Sequence, residues 1–296
     1  MRRRDFNLMA TLASAGLALH PLSILASCST EKKTKLAKIG LQLWTVRESI
    51  EKNLEKTLSK VAEVGFAGVE TAFWPEHISL EQGAIALRKF DLPVFSIHSE
   101  LPFGKEQENI LKMTEAYKCN RIVWHGWPED PRYKTEAGTL ELGDIYNEAN
   151  EFSIKEGLVF GVHNHWWEFE KHEFGWFPFE ILFDKLDEDI FFEIDTYWVK
   201  VAGQDPAEIV DKFGKRAPLL HIKDGMAIWT DSLDEDQPDP MVAVGRGVQD
   251  FPAIVSAAKG NTEWMIVELD NCATDMMTAV QESYTYLVDN GLGIGK

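Results

Sequence analysis

Cysteine is nearly absent from this chain: three residues in 296, too few for a disulfide framework. Cys28 belongs to an unusual N-terminal segment, and Cys119 and Cys272 read as small structural residues near an expected helix end and after an expected strand. Positive charge is also scarce, with 30 Lys and Arg against 48 Asp and Glu and a net charge of −18. A field of that sign disfavours nucleic acid and anionic membrane surfaces as partners, although it does not identify a substrate. No GxGxxG phosphate fingerprint follows the first apolar run, which counts against a dinucleotide-binding sheet. Long hydrophobic runs are missing too. The stretch Leu8–Leu19 is stopped by His20-Pro21 and is too short to span a bilayer comfortably. What remains, 45% hydrophobic and 26% charged residues, suits one large α/β barrel or two smaller domains.

The N-terminus differs from the rest. Arg2-Arg3-Arg4 precede an apolar stretch, and Leu25-Ala26-Ser27-Cys28 closes it. A basic start, a short apolar centre and a small-residue cleavage site describe an export signal over residues 1–28. The Arg-Arg-Asp-Phe string resembles a twin-arginine signal, and Leu-Ala-Ser-Cys resembles a lipobox that would make Cys28 a lipidated first residue. The expectation is an exported periplasmic or cell-surface lipoprotein, touching a membrane only through the Cys28 anchor. The plainer alternative is a buried N-terminal helix. Cleavage before Cys28 removes three arginines and one aspartate, taking the charge from −18 to −20. Residues 29–37 form a polar tether, leaving 38–296 as the folded domain.

Beyond the tether, eight short apolar runs alternate with amphipathic stretches: Ile39–Trp44, Gly68–Phe73, Val94–His98, Arg121–Trp127, Leu158–His165, Ile190–Trp198, Pro218–Asp224 and Trp264–Leu269. The intervening patterns are helical, as at Leu54, Leu58, Val61 and Ala62, and the last runs from Thr274 to Leu287. Alternating strand and helix imply a parallel sheet, and eight units in this length match a (β/α)8 TIM barrel. An open doubly wound sheet is the main rival. The connection at 226–249 is unusually long and holds Gly245-Arg246-Gly247. It reads either as a solvated acidic loop or as a lid through which Arg246 reaches substrate.

Several runs end in polar side chains: Gln42, Glu70, His98, His125, His163, His165, Asp195, His221, Lys223 and Glu268. Residues two apart on a strand share a face, so His163/His165, Glu193/Asp195, His221/Lys223 and Glu268/Asp270 each point one way. A lone strand-end histidine is usually a satisfied structural residue. Five histidines accompanied by carboxylates suggest a divalent-metal site, because buried ionisable groups must be paired or bound to metal. Trp44, Trp124, Trp127, Trp166, Trp167 and Trp198 fall at or beyond the same strand ends. Each alone reads as a barrel plug, but six together favour a carbohydrate pocket.

The segments Gly161–Phe169, Glu193–Trp198, Leu220–Asp224 and Val267–Asp270, with Ile39–Arg47 and Val64–Glu70, resemble the xylose isomerase-like sugar phosphate isomerase/epimerase superfamily. The resemblance covers about residues 38 to 290 and is specific in combination. It implies a xylose isomerase-like barrel holding one divalent ion (manganese, magnesium, cobalt or zinc) on His163, Asp195, His221 and Glu268. Two departures stand out. Keto-sugar epimerases of this superfamily carry a glutamate where this chain has His163, an arrangement closer to inosose dehydratases. They also carry a histidine where this chain has Trp198.

The resemblance further implies a reaction that begins with proton removal beside a carbonyl, through a metal-stabilised enediolate. Glu268 is the first candidate for the base, with His165 or Glu168 handling the second proton and Lys223 neutralising charge on oxygen. Gln42, Trp44, Glu70, His98, His125, Trp198 and Arg246 are expected to line the substrate. An unphosphorylated sugar or keto-sugar is the expected partner, since an exported enzyme rarely meets sugar phosphates. Isomerisation or epimerisation is the first reading and dehydration or hydration of a 3-keto-sugar or inosose the second. A non-catalytic sugar-binding lipoprotein ranks below both, and an endonuclease of the related barrel family is disfavoured by the acidic charge. The oligomeric state stays open, a homo-oligomer being one option.

Overall fold

The computed structural model describes residues 35–172, 175–228 and 240–296. The expected signal segment, its lipobox and much of the 226–249 connection lie outside those residues. Eight parallel strands close in sequence order: β1 (Lys38–Gln42), β2 (Gly68–Thr71), β3 (Val94–Ser99), β4 (Arg121–Trp124), β5 (Val159–His163), β6 (Phe191–Asp195), β7 (Leu219–Ile222) and β8 (Trp264–Val267). β8 pairs with β1 through Lys38–Trp264 to Leu41–Val267, so the sheet has no free edge and the open-sheet rival is overturned. The strands end sooner than the apolar runs do. β6 stops at Asp195 because its carboxylate caps a new helix, Thr196–Val201, which takes up the rest of the run.

Local chemistry sets the helices around the barrel. Asn53 caps Leu54–Val64, and Gly65 ends it with φ 106°, a left-handed conformation that suits glycine. Ser79 and Gln82 form a capping box on Leu80–Lys89. Asp205 caps Pro206–Phe213 and Asp275 caps Met276–Asp289. Burying the apolar stripes of these helices against the outward faces of the strands builds the main core. No described helix is long and apolar enough to cross a membrane. Cys119 is buried and Cys272 half-buried, both as free thiols.

Inward-facing residues stand in successive levels along each strand. On β6 they run Phe191, Glu193, Asp195; on β7 Leu219, His221, Lys223; on β8 Trp264, Ile266, Glu268. The lowest level is an apolar plug of Val123, Phe191, Leu219, Trp264 and Ile266, with Phe95 packed against it. The Phe95 and Trp264 rings stack at 3.8 Å. Gly40 makes room for them, because a Cβ there would meet Phe95 at 2.4 Å.

Candidate metal centre at the barrel mouth

Above the plug the levels turn polar. Glu70, Glu193, Asp195 and His221 are completely buried, and His98, His163, Lys223 and Glu268 nearly so. Two groups of metal-ligating side chains converge there: His98, His163, Glu193 and His221, and Asp195, His221 and Glu268. His221 belongs to both. Of the four residues expected to share an ion, Asp195, His221 and Glu268 fall in one group, and His163 joins them through His221. Glu193 was missing from the expected set, although its spacing from Asp195 put it on the same face.

Strand ends and short-range bonds aim these groups. Asp195 Oδ1 accepts the N–H groups of Tyr197 and Trp198, which leaves Oδ2 facing the barrel axis. Asn164 bolts β5 to β6, accepting from Asp195 N–H at 2.9 Å. Thr196 Oγ1 donates to His221 O at 2.9 Å, tying β6 to β7. Asp224 holds the loop after β7 in place. Its carboxylate accepts the N–H groups of Gly225, Gly245, Gly247 and Gln249, fastening the returning end of the long connection.

The electrostatics follow from burial against pairing. Lys223 Nζ sits 3.0 Å from Asp195 Oδ2, 2.9 Å from Glu268 Oε2 and 2.8 Å from Asp270 Oδ2. Burial alone would discharge it, but these three carboxylates hold its pKa well above the ordinary lysine value. Burial likewise opposes charge on Glu268, yet Lys223 and His221 keep it well below the usual carboxylate range. Asp270 is pushed up to about 6, chiefly by burial. Burial, with Lys223 nearby, lowers His165 to about 3, so its imidazole is neutral. Burial also raises the Glu168 carboxyl well above its ordinary pKa, and it accepts the His165 N–H at 2.8 Å.

A cavity of about 220 Å³ opens above these groups, lined by Trp44, Ala72, Phe73, His98, His125, Trp127, His163, His165, Lys223, Glu268 and Asp270. Trp44 is held at its rim by Arg47, which stacks on the indole at 4.4 Å and donates to Trp44 O and Asp270 O. His125 meets Phe73 edge-on and accepts the Trp127 N–H on Nδ1. Other expected substrate contacts stand elsewhere. Gln42 and Glu70 are bonded to each other one level down, with no exposed surface. Trp198 is fully buried with Lys223 Nζ 5.2 Å above its ring, since the capped helix turns it under the lysine. Trp166 and Trp167 are buried as well and Trp124 is half-buried outside the lining, so two of the six strand-end tryptophans, Trp44 and Trp127, line the cavity. Arg246 is exposed and pairs with Glu282 at 3.5 Å, on a different surface groove from the mouth.

The model for the xylose isomerase-like TIM barrel matches residues 58–287. The chain belongs to that family. No curated protein matches it. Among solved structures it is similar to a sugar phosphate isomerase/epimerase from Parabacteroides distasonis, at 22% identity, with a TM-score of 0.68 over 89% of this chain and 98% of that one. An L-ribulose 3-epimerase is similar at 17% identity, with a TM-score of 0.61 over 87% of this chain and 95% of that one. A probable 3-DHS dehydratase from Bacillus anthracis is similar at 13% identity, with a TM-score of 0.66 over 85% of this chain and 98% of that one. At these identities the likeness carries the fold. Within it, a buried His, Glu and Asp cluster capable of binding a metal ion occupies the mouth.

The donor set fits a divalent cation. Mixed imidazole and carboxylate ligands suit manganese, cobalt, zinc or magnesium without choosing among them. His163 Nδ1 is also buried with no hydrogen bond, its nearest charged neighbour being Glu193 Oε2 at 3.2 Å, and a cation would give it a partner.

Proposed function

We propose that this protein is a metal-dependent sugar isomerase or epimerase that moves a proton beside the carbonyl of an unphosphorylated sugar or keto-sugar. The observation that carries the reading is the convergence of Asp195, His221 and Glu268, with His163 beside them, at the floor of a cavity whose lining holds Glu268, His163, Lys223 and His165. The four would hold the ion, which when bound supplies Lewis-acid polarisation of carbonyl and hydroxyl oxygens. Solved neighbours named as an isomerase/epimerase and an epimerase support the same class.

The chain's own residues take the remaining roles. His165, neutral and facing the cavity, accepts and returns the proton, its backbone fixed by Glu168. Glu268 is the other proton acceptor within the lining, although its Oε2 already faces His221 and Lys223. Lys223 places its ammonium where negative charge develops on a substrate oxygen. Trp44 and Trp127 offer flat apolar walls to the C–H face of a sugar. Export, with a lipid anchor at Cys28, belongs to the same reading and fits a sugar without phosphate.

A lyase is the second reading, and His163 favours it. With an imidazole in place of a carboxylate on β5, the site has one fewer carboxylate base to flank the reacting carbon. A dehydratase-named neighbour shares the fold. Incubating the metal-loaded protein with keto-sugars in D2O separates the readings. Deuterium uptake with no other mass change supports isomerisation or epimerisation; gain or loss of water identifies a lyase. Neither change in the presence of bound sugar would leave a binding protein and sink the enzyme claim.

A further inference from the structure

His221 offers its two ring nitrogens to opposite surroundings. Nδ1 lies 2.6 Å from Glu268 Oε2 and 3.9 Å from Asp195 Oδ2, on the side of the candidate cation ligands. Nε2 lies 2.7 Å from Glu70 Oε1, which reaches it from β2 across the barrel interior, and 3.3 Å from Glu193 Oε2, the more distant of the two. A histidine binds a cation through one nitrogen, and the partner of the other nitrogen fixes its tautomer and the direction of its ring. Glu70 is in turn immobilised. Gln42 Nε2 donates to its Oε1 at 2.8 Å, and Ser96 Oγ donates to its Oε2. Gln42, Glu70 and Ser96 have no exposed surface, and none lines the cavity. Nothing about these three suits contact with a substrate.

We propose that Glu70 is a positioning residue: it accepts the Nε2–H of His221 and so aims Nδ1 at the cation, with Gln42 and Ser96 holding Glu70 in register. The inference rests on the metal-dependent reading given above and adds to it the element that orients its central ligand. It also gives the level below the mouth a task. On this reading the fully buried glutamate of β2 orders a ligand carried by β7. The competing use of the same space, a second cation on His98, His163, Glu193 and His221, would claim Nε2 as a ligand and deny Glu70 this role.

Cobalt(II) is a suitable probe, because its visible absorption reports the ligand geometry directly. Stoichiometry, affinity by chelator competition and absorption are measured for the purified wild type, Glu70→Gln and Gln42→Leu, with thermal melting of each in chelator. The expected result is one ion per chain and a 10- to 100-fold loss of affinity in Glu70→Gln, with altered absorption. Gln42→Leu should show a smaller loss in the same direction, and it carries the test alone if Glu70→Gln does not fold. Unchanged affinity and absorption in both variants would overturn the role of Glu70 while leaving the metal site standing. Two ions per chain would overturn it as well. A wild type that takes up no cobalt would instead remove the metal-dependent reading itself.

Discussion

The two ends of the barrel interior are built from the same strands by opposite means. At the lower end Phe191, Leu219 and Trp264 close around Phe95, and apolar burial and ring packing are the main stabilising contributions. Two to four residues further along the same strands, Glu193 and Asp195, His221 and Lys223, and Glu268 crowd ionisable groups into a space from which water is largely excluded. Such groups cost stability unless each finds a partner. The difference teaches where each end's contribution lies: the plug holds the fold, and the mouth gives up stability to keep the groups on which the proposed function rests.

Substitutions can break or sharpen that contrast. Trp264→Ala should cost about 3–5 kcal/mol of stability, read by denaturant unfolding, while the folded fraction keeps its metal uptake. If uptake disappears from folded protein, the two ends are not separable. Lys223→Met removes the cation from among Asp195, Glu268 and Asp270, leaving three carboxylates facing one another. The expected cost is again about 3–5 kcal/mol, but here divalent metal should restore much of the lost melting temperature, which it should not do for Trp264→Ala. Equal rescue of both variants would contradict the contrast. His163→Leu replaces a buried ring whose Nδ1 has no hydrogen-bond partner. Stability should change by less than about 1 kcal/mol or rise slightly, whereas metal uptake falls. A large loss of stability would show that His163 belongs to the frame.

Much of this was legible in the sequence. The eight strands announced themselves through apolar runs alternating with helical stripes, and period-two spacing placed His163/His165 and His221/Lys223 on inward faces. Depth was harder to read. Glu70 and Glu193 lie on the same inward faces as the mouth residues but one level down, and a strand's ends in sequence do not reveal how far inside the barrel a given residue falls. Trp198 was misplaced for a different reason. Asp195 serves both as an inward carboxylate and as a helix cap, and the cap turns the following residues under Lys223. Arg246 reached the wrong surface because the Asp224 carboxylate, gathering four backbone amides, directs the loop's return toward Glu282.

The aromatic plug has a further consequence for traffic. With stacked rings sealing the far end, a molecule that enters at the mouth has to back out by the same route. On the proposed function, reactant and product would contend for one doorway, framed by Trp44, Phe73 and Trp127. On the proposed reaction, turnover would depend as much on how readily those rings release a spent ligand as on the proton transfer beneath them.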